Sequence, residues 1–351
     1  MRIVRWQAPE VLEPAEVDDP VAGDGQLVLE VAACGICGSD LHSYERGFAA
    51  VPGQVLGHEF AGRVLDAPGV DGVAVGDRVT VRPLTPCGRC ARCAEGEIQL
   101  CEAGHAQNIG YGSPGAFADR VLVPRATLGE TVFHLPDGVG DEAGALVEPL
   151  AVSLRAVRHA APRPDETVLV LGAGMIGLGA VRLLRLEGAG TIVVADPSPA
   201  RRERALALGA DVAVDPTTED VTTVVRGITG AGAFGLGARA DAVIDCAGAP
   251  SAFHDGLKSV RHGGRMVLAA MYSRKVELRP DRIVEKELRV LGSMGYRHEF
   301  PDVIRYLADG GIDADAFISH RFPLSRVDEA FRVQLGRSDA LKVVVRPGDD
   351  R

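Results

Sequence analysis

TVLVLGAGMIGLGAVRLL, residues 167–184, joins an unbroken apolar run to a glycine-rich turn and then to an apolar pattern of helical period. The run TVLVL reads as a strand buried on both faces, as strands inside parallel sheets are. Gly172, Gly174 and Gly177 follow it. The first allows a tight turn, the second lets backbone approach a pyrophosphate, and the third lets the helix pack closely on the sheet. The free N–H groups and dipole of the helix N-terminus favour that anion. Asp196 ends the next apolar segment, TIVVAD, nineteen residues after Gly177. Its carboxylate can accept from both adenosine ribose hydroxyls and repels a 2′-phosphate, so NAD is the expected cofactor. Asp196 could instead cap the following helix, but Ser198 can fill that role. Ile176 and Arg201 complete the expected cofactor contacts. Arg201 and Arg202 are also the cations that a 2′-phosphate would meet.

Outward from this stretch, strand and helix alternate from about residue 151 to 295. SPARRERALALG is a helix with a glycine stop, and DVAVD, ADAVIDCAG, GRMVLAA and ELRVLGS are further strands. Six strands in this rhythm predict a doubly wound parallel sheet in an α/β fold. FGLGARA reads as a surface loop. Residues 1–150 are different. QLVLEVAAC, FAGRVLDA, DRVTVRP and FADRVLVP are short β-rich segments between Gly and Pro turns. After 295 come a helix (FPDVIRYLADGG), a second helix (VDEAFRVQLG) and a strand (LKVVV). Two domains are expected, 1–150 with 296–351 and 151–295, which suits a chain of 351 residues.

The net charge of −10 gives no electrostatic footprint for nucleic acid or an anionic membrane. The opening MRIVRWQAPEVLEP lacks the apolar core of a signal peptide, and the longest apolar stretch stops at Arg182, too short to span a bilayer. A cytoplasmic protein is expected. Thiols stay reduced there, so clustered cysteines point to metal or redox work before disulfides.

Four of the seven cysteines fall in CGRCARCAEGEIQLC, at Cys87, Cys90, Cys93 and Cys101. Paired C-x-x-C turns bring sulfurs to one ion, and four thiolates complete a tetrahedral zinc shell with no position left for substrate. The site is expected to be structural. Arg89 and Arg92 would favour thiolates. An iron–sulfur cluster and a pair of disulfides are the rival readings. A second set of zinc-ligand types, Cys37, His58 and Glu59, stands in CGICGSDLH (34–42) and LGHEFAG (56–62), with Glu148 in LVEPLAVSL. Alone, each has a bland reading: a buried small thiol, a satisfied core histidine, a glutamate in a surface turn. Ser39 or Asp40 could cap the helix LHSYE. Together, beside a dinucleotide motif, they suggest a catalytic zinc with an open position.

In CGICGSDLH, GHEFAG, the four-cysteine lobe, EPLAVSLRAV, GAGMIG and ALKVVV the chain resembles the zinc-containing medium-chain alcohol dehydrogenases across essentially its whole length. Within them it is similar to the polyol, butanediol and threonine dehydrogenases, since Glu148 stands in EPLA, and LGSMGYRHEFPDVI is reminiscent of the butanediol branch. The resemblance implies a Rossmann domain and a GroES-like β-rich catalytic domain with a structural zinc lobe at 87–101. It implies two zinc ions per subunit, the catalytic one held by Cys37 and His58, with Glu59 and Glu148 sharing the remaining position with water. It implies oxidation of a secondary alcohol of a small polyol, vicinal diol or cyclitol. Ser39 then passes the proton through the nicotinamide ribose to His42. A homodimer or homotetramer follows by the same analogy. Threonine or another amino alcohol is the alternative substrate, and an NAD-binding protein without turnover is the non-enzymatic one. GHAQNIGYGSPGAFADR, residues 104–120, is expected near the pocket.

Overall fold

The computed structural model describes residues 1–350 except 105, 106, 233, 234, 236, 337 and 338. It divides into two compact units, Met1–Pro149 with Arg297–Arg351, and Leu150–Tyr296.

In Leu150–Tyr296 the six expected strands form one parallel sheet, ordered Val212–Val214, Thr191–Ala195, Thr167–Leu171, Ala240–Asp245, Val260–Leu268, Arg289–Gly292. Thr167–Leu171 lies inside the sheet, and all five of its residues are buried, which is why it reads as a continuous apolar run. The chain winds outward from it in both directions, so the order reverses at its carboxyl end, where ligands of such sheets bind. Met175–Leu186 follows directly, with Gly174 as its N-cap. Ser198 caps Pro199–Ala207 by accepting from Arg201 N, as anticipated. Two residues of FGLGARA lie outside the described residues; Gly235 and Gly237 both have positive φ.

The other unit is built on a mixed seven-stranded sheet. Its main path runs Ile318–Pro323, Lys342–Arg346, Leu27–Gly35, Glu59–Asp66, Arg78–Val81, Val132–His134, and Arg120–Val123 also pairs with Leu27–Gly35. A smaller sheet joins Val11–Glu16, Arg2–Ala8 and Gln54–Val55. Arg2–Ala8, Val11–Glu16 and Ile318–Pro323 have no counterpart in the sequence reading. Their burial is broken by charged or half-exposed residues, so none carries a continuous apolar signal. Phe60, Phe117, Phe331 and Leu29 lead the core of this unit.

Glu148 is not in a surface turn. It is buried in the helix Val147–Ala160. Pro149 is the third residue of that helix, where a missing N–H breaks no helical hydrogen bond. Among the described residues no helix is long and apolar enough to cross a membrane.

Candidate functional site

The four sulfurs of Cys87, Cys90, Cys93 and Cys101 lie within 4.8 Å of one another. Contacts of 3.5 Å for Cys90–Cys93 and 4.0 Å for Cys87–Cys93 and Cys90–Cys101 are far longer than an S–S bond. They match the spacing of about 3.8 Å that four sulfurs take when each stands about 2.3 Å from a central ion at tetrahedral angles. The donor set therefore fits zinc. Backbone amides of Arg89 and Cys90 point at Cys87 and hold its thiol down at about 6. The expected help from the guanidinium groups is replaced by these amides, and Arg92 pairs instead with Glu95. Arg297 ties the lobe to its unit, donating to the carbonyls of Gly96 (2.9 Å) and Glu95 (3.2 Å) and to the Glu97 carboxylate (3.2 Å).

The second set forms where Leu27–Gly35 leaves the sheet. Cys37 is the N-cap of the helix Gly38–Arg46, with extended backbone. Neither Ser39 nor Asp40 is the cap, because the helix begins one residue after Cys37. Asp40 instead occupies the third helical position and accepts from Cys37 N (3.0 Å) and Gly57 N (3.2 Å). Its Oδ1 also stands 3.4 Å from His58 Nδ1. One buried carboxylate thus fixes Cys37 and the turn before His58, and it faces the His58 ring. Sulfur of Cys37, nitrogen of His58 and oxygen of Glu59 come within 4.8 Å of one another. Ser39 Oγ lies 3.4 Å from His58 Nε2 and 2.8 Å from the Tyr111 hydroxyl, which is itself 3.4 Å from Nε2. The Tyr111 and His58 rings are 4.9 Å apart, centre to centre. His42 follows on the same helix, half-buried.

Glu59 and Lys342 are 1% and 3% exposed, and the ammonium reaches both carboxylate oxygens, at 2.8 and 2.5 Å, and the Ile36 carbonyl at 2.9 Å. Burial alone would lower the Lys342 pKa, but Glu59, Cys37 and Glu148 outweigh it and raise it. Burial also works against protonation of His58, yet Tyr111, Asp40 and Cys37 hold its pKa well above the ordinary histidine value. Burial pushes the Tyr111 phenol up, so it keeps its proton. These shifts report one field: buried negative charge converges on the Cys37–His58–Glu59 donors and favours a cation there. The site fits a divalent metal. The group within 4.8 Å, among the described residues, is Cys37, His58 and Glu59; Glu148 is outside it and helps to raise the Lys342 pKa.

In the other unit, Gly172 has φ +87° and packs against Ala247. A side chain at Gly174 would meet nothing within 4 Å, so the helix N-terminus faces open space of the kind a phosphate group needs. Gly177 stands where the helix meets the sheet. A Cβ there would lie 1.8 Å from the carbonyl oxygen of Gly172, at the end of the strand Thr167–Leu171, and 3.5 Å from Cys246 Cβ, at the end of the neighbouring strand, so only glycine lets the helix start this close to the sheet. Asp196, 4% exposed, accepts from Ala173 N (2.7 Å) and Ser198 N (2.8 Å). It thereby ties the glycine turn to the end of the second strand. Arg202 is committed to the carbonyls of Asp196 and Pro197 and to Asp215. The half-buried Ile176 is held through its carbonyl by Ser153.

Three side chains of the candidate site have places that sequence reasoning did not assign: Asp40, Tyr111 and Lys342. Each stands inside a stretch that had drawn attention, but its role depends on partners the stretch does not contain.

A family model described as "Alcohol dehydrogenase GroES-like domain" matches residues 23–137, and one described as "Zinc-binding dehydrogenase" matches residues 176–309. The chain is 33% identical to the L-galactonate-5-dehydrogenase of Escherichia coli (strain K12) over 98% of both chains. It is 35% identical to the L-threonine 3-dehydrogenase of Pyrococcus abyssi over 92% of this chain and 91% of that one. A zinc-binding dehydrogenase from Sinorhizobium meliloti 1021, solved with NADP, superimposes with a TM-score of 0.88 over 99% of both chains at 34% identity.

Proposed function

The chain belongs to the zinc-containing medium-chain alcohol dehydrogenases, and from that premise we propose an NAD-dependent enzyme that oxidises a secondary alcohol of a small polyol, vicinal diol or cyclitol to the ketone. The observation that carries it is the convergence of Cys37, His58 and Glu59 in a buried negative field, with two hydroxyls beside the histidine. Cys37 and His58 would hold the catalytic zinc, with Glu59 and Glu148 serving the remaining protein position. Cys87, Cys90, Cys93 and Cys101 would hold a second, structural ion. When bound, the zinc supplies Lewis acidity to an alcohol oxygen and the nicotinamide supplies hydride acceptance. The chain's own residues do the rest. Asp40 fixes Cys37 and faces the His58 ring. Lys342 neutralises Glu59 and keeps a buried carboxylate tolerable beside the thiolate. Ser39 accepts the proton of the reacting hydroxyl while giving up its own, and that second proton is relayed to His42, on the same helix, and on to solvent. Residues 1–150 with 296–351 form the catalytic domain in this reading, and 151–295 the cofactor domain. A homodimer or homotetramer accompanies it.

The substrate class rests on a second anchor. A hydroxyl or amine beside the reacting carbon orients that carbon and lowers the entropic barrier to transfer. Position 5 of galactonate and position 3 of threonine, which the two relatives are named for, both have such a neighbour. Ethanol lacks one. A panel of ethanol, 2-propanol, 2,3-butanediol, sorbitol, inositols and threonine with NAD, read as NADH absorbance, is expected to give the highest kcat/KM with a diol, polyol or cyclitol. Monofunctional alcohols at the head of that ranking would sink the reading, and threonine at the head would transfer it to amino alcohols.

For the cofactor, wild-type efficiency should favour NAD over NADP by roughly ten-fold or more, because Asp196 offers hydrogen bonds to ribose and repels phosphate. Asp196→Gly should narrow the gap chiefly by losing NAD. Arg202 is already engaged and has little to offer a phosphate. Equal use of both cofactors by the wild type contradicts the assignment.

A further inference from the structure

We infer that Tyr111 recognises a second hydroxyl of the substrate, on the carbon next to the one oxidised. The inference rests on the reading of the Cys37–His58–Glu59 centre as the place of alcohol oxidation, and it names the group that selects among alcohols there.

Tyr111 sits on an irregular segment that is nonetheless firmly held. Asn108 is buried and accepts from Thr85 N through its side chain (2.9 Å), Ile109 N donates to the Pro83 carbonyl (3.0 Å), and Tyr111 N donates to the Asn108 carbonyl (3.1 Å). The phenol is therefore delivered to a fixed point. Packing against His58 needs only the ring, and phenylalanine would supply that equally well. The hydroxyl goes further, standing 2.8 Å from Ser39 Oγ.

Ser39 and Tyr111 thus present two hydroxyl oxygens side by side next to the metal-ligand set. The two oxygens of a gauche vicinal diol stand at nearly the same separation. Each hydroxyl has one hydrogen to give and room to accept. Two protein hydroxyls and two substrate hydroxyls can therefore close a ring in which every oxygen donates once and accepts once. The reacting oxygen faces Ser39, and its neighbour faces Tyr111. Were His58 to hold a metal through Nε2, the 3.4 Å contact between Nε2 and the phenol would lapse and leave Tyr111 free to meet this second oxygen. A monofunctional alcohol meets Ser39 alone, so removal of the phenol reaches it only through the lost Ser39–Tyr111 hydrogen bond and costs it far less than it costs a diol.

The test compares wild type with Tyr111→Phe on 2,3-butanediol and 2-butanol, with zinc content measured in both proteins. The diol should lose roughly ten- to hundred-fold in kcat/KM, the range expected when a substrate hydroxyl loses its partner in a closed site. The value for 2-butanol should stay within about three-fold. Binding of acetoin to the enzyme–NADH complex, followed by nicotinamide fluorescence without turnover, should weaken in step with the diol at unchanged zinc content. Equal losses on both alcohols would mean that Tyr111 merely positions Ser39, and an unchanged diol would mean that it does neither; each overturns the inference. A wild type that prefers 2-butanol, with a variant that still loses the diol selectively, would keep the inference and overturn the proposed substrate class. Turnover of neither alcohol together with no acetoin binding would overturn both.

Discussion

Cys37→Ser is expected to lower kcat/KM by about a thousand-fold or more while leaving the melting temperature almost unchanged, and Cys90→Ser is expected to do the reverse. Loss of a thiolate from a three-donor set removes or displaces a Lewis acid that contributes several kcal/mol to transition-state stabilisation, and each ten-fold in rate is about 1.4 kcal/mol. The fold around Cys37 does not depend on its sulfur. Its backbone N–H is held by Asp40, and Asp40 also holds Gly57. The lobe is built differently. No residue of the short helix Ala91–Ala94 within it is buried, so the proposed four-thiolate metal site would take the place of a hydrophobic core there. Melting curves, turnover and metal analysis of the three proteins check this. The wild type should hold two zinc ions per chain and each variant one. An active Cys37→Ser, or a wild type with a single tightly held metal, would break the two-site assignment.

Lys342→Met should cost stability on the order of 3–5 kcal/mol, because it leaves the buried Glu59 carboxylate without its cation. For a unit of this size that is a fall of roughly 10 °C in melting temperature. Adding Glu59→Gln to Lys342→Met should return much of it, since the uncompensated charge then goes as well. A double variant no more stable than Lys342→Met would show that the lysine acts through packing rather than charge. Measured on metal-free protein, the comparison isolates the pair from any change in metal binding.

Most of the nucleotide-binding unit was legible because its determinants are local. An apolar run, a glycine turn and an acid at a fixed interval lie within thirty residues of one another, from Thr167 to Asp196. The four-cysteine lobe is local too. The second metal-ligand set was readable only in part. Cys37, His58 and Glu59 are ligand types and announce themselves, but Lys342 is 283 residues from Glu59 and looks like the first residue of an ordinary strand. Tyr111 is 72 residues from Ser39, on a segment without periodicity. Asp40 was visible but misread as a possible cap, because the start of a helix is set by where the preceding strand lets go. The half-exposed strands Val11–Glu16 and Ile318–Pro323 went unseen for lack of an apolar pattern.

The long reach from Glu59 to Lys342 also sets an order of events on the ribosome. At roughly 5–20 residues per second, the cation emerges on the order of half a minute after the carboxylate that is 283 residues ahead of it. Cys34 and Gly35 wait as long for Val345 and Val344, their partners across the sheet. A nascent chain that already displays Cys37 and His58 therefore lacks both the strand and the charge that fix Glu59 beside them. The lobe has no such delay, since its four sulfurs leave the exit tunnel within fifteen residues. The two proposed ions would accordingly be taken up at different times: the four-sulfur donor set is complete early in translation, and the Cys37 set only once Lys342 has been made.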